Sequence, residues 1–159
     1  MAFKVFISYS GNDDEQSVVW RLQTLAAAQG IQAYVPKRTG GSQASRPLRL
    51  IERVAIDDAD IVVAIITSRI DRAVENELAY ALGLKKVIVP IVYQDVELPP
   101  LFQNFRVFRF SPFTPPGILE TQIVEYLKEQ KLGKERLQAA GAIIAVGLGL
   151  LLLSAVAKE

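Results

Sequence analysis

Apolar runs separated by polar, helix-patterned stretches recur along this chain, and their periods set the expected elements. Phe3 to Ser8 is a short apolar run ending in Tyr9-Ser10-Gly11, which reads as a strand followed by a turn. Asn12 can cap the next helix, with Glu15 three residues on, close to a capping box. Val18, Leu22, Leu25 and Ala26 then form an inward stripe, and Gly30 ends the helix. Ile31 to Val35 reads as a second strand. Pro36 to Pro47 is a polar loop, after which Leu48, Ile51 and Ala55 mark a short helix.

Ala59 to Thr67 and Lys86 to Tyr93 are apolar without alternation, as expected of strands covered on both faces. Pro90 lacks a ladder donor and is expected where that strand's pairing ends. Phe105 to Phe110 is a weaker fifth strand, and Ile118 to Gln130 a last helix. Strands alternating with helices imply parallel pairing with right-handed crossovers. The fold expected is therefore α/β, a flavodoxin-like three-layer sandwich with a five-stranded parallel sheet, plus one C-terminal transmembrane helix.

That last helix comes from a different pattern. No residue from Leu137 to Ala157 is charged, and 21 residues at about 1.5 Å each reach roughly 30 Å, one hydrocarbon core. A domain of this size cannot easily cover such a helix on every side. Lys128, Lys131, Lys134 and Arg136 precede the span and Lys158 follows it, which keeps the domain cytosolic. The N-terminal residues lack a signal-peptide pattern. The expected organisation is a globular domain over 1–131, a basic juxtamembrane linker over 132–136 and a single-pass tail anchor over 137–157. Membrane lipid is thus an expected partner. Gly141, Ala145 and Gly149 form a small-residue stripe through which two such helices could also pair.

Composition narrows the chemistry. The 159-residue chain carries a formal charge of +1, which argues against a dedicated nucleic-acid binder. It holds no cysteine and no histidine, so thiol nucleophiles, thiolate metal sites, imidazole bases and Ser-His triads are excluded. Carboxylates, hydroxyls, Lys and Arg remain; no metal site is expected.

Ligands of open parallel sheets bind beyond the carboxyl ends of the strands, near a switch in strand order. Those ends are Ser8-Tyr9-Ser10, the loop from Pro36, and Thr67-Ser68. The helix after Ser68 buries Ile70, Val74, Leu78 and Ala81, which leaves Glu75 and Glu77 flanking the stripe on opposite sides. Periodicity alone does not choose between them, and a solvated carboxylate is the ordinary reading of either.

Three segments carry a resemblance. Val5-Phe6-Ile7-Ser8-Tyr9-Ser10 resembles the first strand and loop of TIR (Toll/interleukin-1 receptor) domains. Ile56-Asp57-Asp58-Ala59-Asp60-Ile61-Val62-Val63 is similar to their approach to the third strand. Glu77-Leu78-Ala79-Tyr80-Ala81 followed by Lys86-Val87-Ile88-Val89-Pro90-Ile91 resembles the bacterial TIR run with its "IxPI" strand. Each is weak alone; together, in order, they cover roughly residues 3 to 130.

Enzymes of that family break the bond between nicotinamide and ribose in NAD, so the resemblance implies NAD+ as substrate rather than as cofactor. Their W-x-x-x-E glutamate matches Glu77, which the resemblance makes the catalytic carboxylate. The tryptophan position falls on Ala73, so an aromatic wall has to come from elsewhere, with Tyr80 and Tyr9 as candidates. Ser8, Tyr9, Ser10 and Ser68 would line the nucleotide site, and Arg38 or Arg46 could meet the pyrophosphate. The resemblance further implies self-association through the TIR domain, a role in prokaryotic defence or stress signalling, and a downstream effector protein that reads the product. Two other functions fit the same residues. One is a non-catalytic adaptor working through TIR–TIR contacts at the membrane, which Ala73 favours. The other is a nucleoside deoxyribosyltransferase, a related sheet with a glutamate nucleophile.

Overall fold

The structure is a computed structural model and describes residues 2–10, 13–37, 48–67, 72–102, 105–111, 113–115 and 117–139. Strands β1 (Phe3–Ser8), β2 (Ile31–Tyr34), β3 (Ile61–Ile66), β4 (Val87–Tyr93) and β5 (Phe108–Phe110) alternate with helices α1 (Asp13–Ala28), α2 (Leu50–Asp58), α3 (Arg72–Gly83) and α4 (Ile118–Ala139). All strand pairs are parallel, in the order β2-β1-β3-β4-β5. This is the doubly wound flavodoxin-like arrangement, whose strand order reverses between β1 and β3.

Side-chain alternation divides the core in two. Val5, Ile7, Val63 and Ile65 face α1 and α4, meeting Val18, Leu22, Ile123 and Leu127. Phe6, Val62, Ala64 and Ile66 face α2 and α3, meeting Ile56, Val74 and Leu78. Every residue of β3 is buried, as its unbroken apolar run requires. Gly30 adopts a φ of +72° after α1, the left-handed turn expected of a helix-ending glycine.

Three expectations shift. Pro90 sits opposite Ala64 within the β3–β4 ladder, while pairing with β5 begins at Ile91, so only the β5 side is unpaired there. Leu48, just before α2, and Ala55 within it pack against the core as expected, but Ile51 is 58% exposed and the buried positions of α2 are Glu52 and Ile56.

The third concerns the chain's end. α4 does not stop at Gln130 but runs to Ala139, so residues 132–136, expected as a juxtamembrane linker, are helical. Most of the expected span lies outside the described residues. Among the described residues no helix is long and apolar enough to cross a membrane.

Candidate functional site

The carboxyl rim is centred on the paired ends of β1 and β3, where the strand order reverses. α3 packs antiparallel against the Phe6 face of the sheet, and its register places Glu77 beside Val74, Leu78 and Ala81 on the inner surface. Glu77 is 1% exposed, while Glu75 is exposed, which resolves the pair that periodicity left open. The Ser8 hydroxyl, itself fully buried at the end of β1, donates to Glu77 Oε1 at 2.6 Å. A carboxylate is rarely buried without such support, because its lost hydration must be replaced. Ala73 lies one helical turn before Glu77, so a methyl group stands where the family pattern has tryptophan.

A second carboxylate completes the rim. Glu15, in the first turn of α1, is 2% exposed. Its Oε1 accepts the Ser10 backbone N–H at 2.7 Å, and its Oε2 accepts the Thr67 hydroxyl at 2.5 Å. One side chain therefore ties the loop after β1 to the end of β3, across the point where the strand order reverses. Sequence reading gave Glu15 only a capping role. The link to Thr67 spans 52 residues, and no local pattern announces it.

The remaining expected residues divide. Ser8 and Ser10 lie at the rim beside the two carboxylates. Tyr9 is buried in the α1–α4 side of the core, and its hydroxyl donates to the Pro36 carbonyl at 3.1 Å. It therefore sits across the sheet from Glu77 and forms no wall there. Tyr80 faces away from the rim: its hydroxyl donates to Asp57 Oδ1 at 2.7 Å, beside the amino end of β3. That bond, as the largest cause, raises the Tyr80 pKa above the ordinary phenol value. Neither tyrosine substitutes for the missing tryptophan. Ser68, Arg38 and Arg46 lie outside the described residues.

A cleft of about 350 Å³ opens on the opposite face, beyond β4 and β5, lined by Ser17, Arg21, Tyr93, Phe110 and Glu120 among others. Arg21 Nε donates there to the buried Glu120 at 2.8 Å. Glu120 also accepts the Gly117 N–H at 3.0 Å, capping α4. One carboxylate oxygen thus serves the α1–α4 contact and the other caps α4, and the cleft does not reach Glu77.

Solved structures share the architecture. The CMP N-glycosidase BcmB of Clostridium botulinum aligns with a TM-score of 0.50 at 14% identity, over 78% of this chain and 97% of that one. The sugar isomerase domain of an RpiR transcription factor from Sphaerobacter thermophilus aligns with a TM-score of 0.52 at 15% identity, over 99% and 80%. The TIR domains of the Roq1 resistosome align with a TM-score of 0.49 at 16% identity, over 99% and 85%. At such identities the likeness is one of fold. No curated protein matches the sequence. The TIR domain family profile matches residues 5–117, most of the chain and all of the rim described above. The protein belongs to the TIR domain family.

Proposed function

We propose that this chain is a membrane-anchored NAD+ glycohydrolase or cyclase, with Glu77 as its catalytic carboxylate. The observation that carries this reading is the burial of Glu77 at the carboxyl rim, with Ser8 as its hydrogen-bond donor. Nicotinamide is bound as a cationic pyridinium and departs neutral, so the leaving group needs no general acid. That removes the second carboxyl most glycosidases require. The electron-poor ribose left behind is stabilised by a carboxylate held out of bulk water. Addition of water gives ADP-ribose and a proton; attack by a nucleophile of the same molecule gives a cyclic product.

The family membership and the N-glycosidase named for BcmB support a reaction at an N-glycosidic bond. Glu77 is 1% exposed, so a bound ribose needs the rim to open toward this carboxylate, whose Oε1 accepts from Ser8. Self-assembly of TIR domains supplies the rearrangement. The apolar run from Leu137 to Ala157 is read as the anchor, which concentrates the domains on a bilayer without any new contact. The assay is chromatography of products after liposome-bound protein meets NAD+. Nicotinamide with ADP-ribose or a cyclised product is expected, with lower specific activity after truncation before Leu137. Absence of nicotinamide release rejects the enzymatic reading, and equal turnover of both forms rejects the role of the anchor.

Ala73 favours a second reading, an adaptor acting through TIR–TIR contacts. Glu77→Ala would then leave recruitment of a partner intact, while substitutions within 36–47 would abolish it.

A further inference from the structure

The last turns of α4 are fastened to the amino edge of the sheet, opposite the rim that holds Glu77. Lys131 Nζ donates to the Gln29 carbonyl at 3.0 Å, just before β2. Lys134 Nζ donates to Asp60 Oδ1 at 2.8 Å, just before β3, and to the Ala2 carbonyl at 3.4 Å, just before β1. Asp60 is 6% exposed and also accepts the Lys4 backbone N–H at 2.9 Å, so the Lys134 contact is anchored in the fold. Two of the basic residues before the apolar run are therefore engaged by the domain itself.

Only two residues separate Lys134 from the first residue of that run, about 4.5 Å of helical rise from Lys134 to Leu137. We propose that the amino edge of the sheet is the bilayer-facing surface, docked against lipid headgroups, with the Glu77 rim pointing away into the cytosol. The inference rests on the anchor reading above and adds an orientation to it. The surface suits an anionic bilayer. Leu84, in the turn before β4, and Leu132, on α4, are each 42% exposed; Lys85, next to Leu84, is exposed, and so is Lys4 near the start of β1. Of the nearby acids, Asp57 and Asp60 are turned to Tyr80 and Lys134 and Glu135 lies 3.9 Å from Lys131, while Asp58 is exposed near Lys4. A six-residue strand then sets the catalytic rim about 20 Å further from the membrane. Neighbouring domains on one bilayer would share this orientation, all rims outward.

The absence of native cysteine allows single-site labelling of the full chain. Gln29→Cys marks the amino edge and Asp95→Cys, in the turn after β4, marks the rim. Each carries an environment-sensitive fluorophore, in anionic liposomes doped with headgroup spin-labelled lipid. Quenching several-fold stronger at position 29 than at 95 is expected, with the difference lost when a flexible Gly-Ser segment is inserted between Arg136 and Leu137. Equal quenching at the two sites in protein that floats with the liposomes overturns the orientation while the anchor stands. Protein that does not float overturns the anchor and the orientation with it.

Discussion

Replacing Ser8 by alanine removes one oxygen and tests whether Glu77 is held as described. The hydroxyl is fully buried and donates at 2.6 Å to a carboxylate that is 1% exposed. A hydrogen bond to a charged group contributes about 1.5–3 kcal/mol, and a buried acceptor deprived of its donor loses about that much. The volume removed is small, so the cavity contribution is minor beside the lost bond. Ser8→Ala should therefore destabilise the domain by about 2 kcal/mol, or lower Tm by about 4–8 °C in a chain of this length. In a double-mutant cycle with Glu77→Ala, most of that effect should disappear, because losing both partners costs less than losing one. Urea denaturation of the four proteins measures both quantities. A Ser8→Ala stability within about 0.3 kcal/mol of wild type, or additive effects in the cycle, would refute the reasoning.

Glu15→Ala should destabilise by about 2–3 kcal/mol, since two donors at the rim lose their acceptor. It should also speed hydrogen exchange of the Ser10 amide, and unchanged protection there would contradict the tie. Gly30→Ala forces a left-handed φ on alanine and brings its Cβ to 3.0 Å from Lys131 Nζ, so about 1–2 kcal/mol should be lost in thermal unfolding. Tyr80 donates to Asp57, which raises its pKa. The neutral phenol is the favoured form. Stability from that bond is thus complete below about 10 and declines as pH rises through the higher folded value. Ultraviolet titration of Tyr80→Phe should lack one late-titrating phenol, leaving Tyr126, whose pKa burial raises, among those that remain. An unchanged late amplitude would remove Asp57 as the cause.

Local pattern sufficed for the elements whose stripe and end signals agree. β1 and α1 are examples, because an unbroken apolar run and a stripe closed by Gly30 leave few alternatives. It failed at Ile51 in α2, which is apolar yet exposed, as are Leu50 and Val54 beside it. There Glu52 goes inward instead, its carboxylate accepting from Arg49 Nε at 2.6 Å. An ion pair can reverse an amphipathic reading that counts only apolar residues. The rim was half legible. Glu77 could be named from the family pattern, but its inward direction depends on how α3 lies against Phe6 and Ala64. Glu15 and Thr67 meet only after three strands are in place, and Tyr9 and Tyr80 turn to partners that spacing does not reveal. α4 outlasts its apolar stripe because Lys131 and Lys134 find acceptors at the sheet edge, which gives its last turns tertiary support.

The proposed activity depends on the Glu77 carboxylate, and Glu77→Gln probes it with little change of shape. Liposome-bound wild type and variant, matched for folding by circular dichroism, are incubated with NAD+ and nicotinamide release is followed over time. Removing the charge that faces the developing ribose cation should slow release by about 10²–10³-fold or more. Turnover of the folded variant equal to wild type would contradict the assignment and leave the tethered interaction module as the better description.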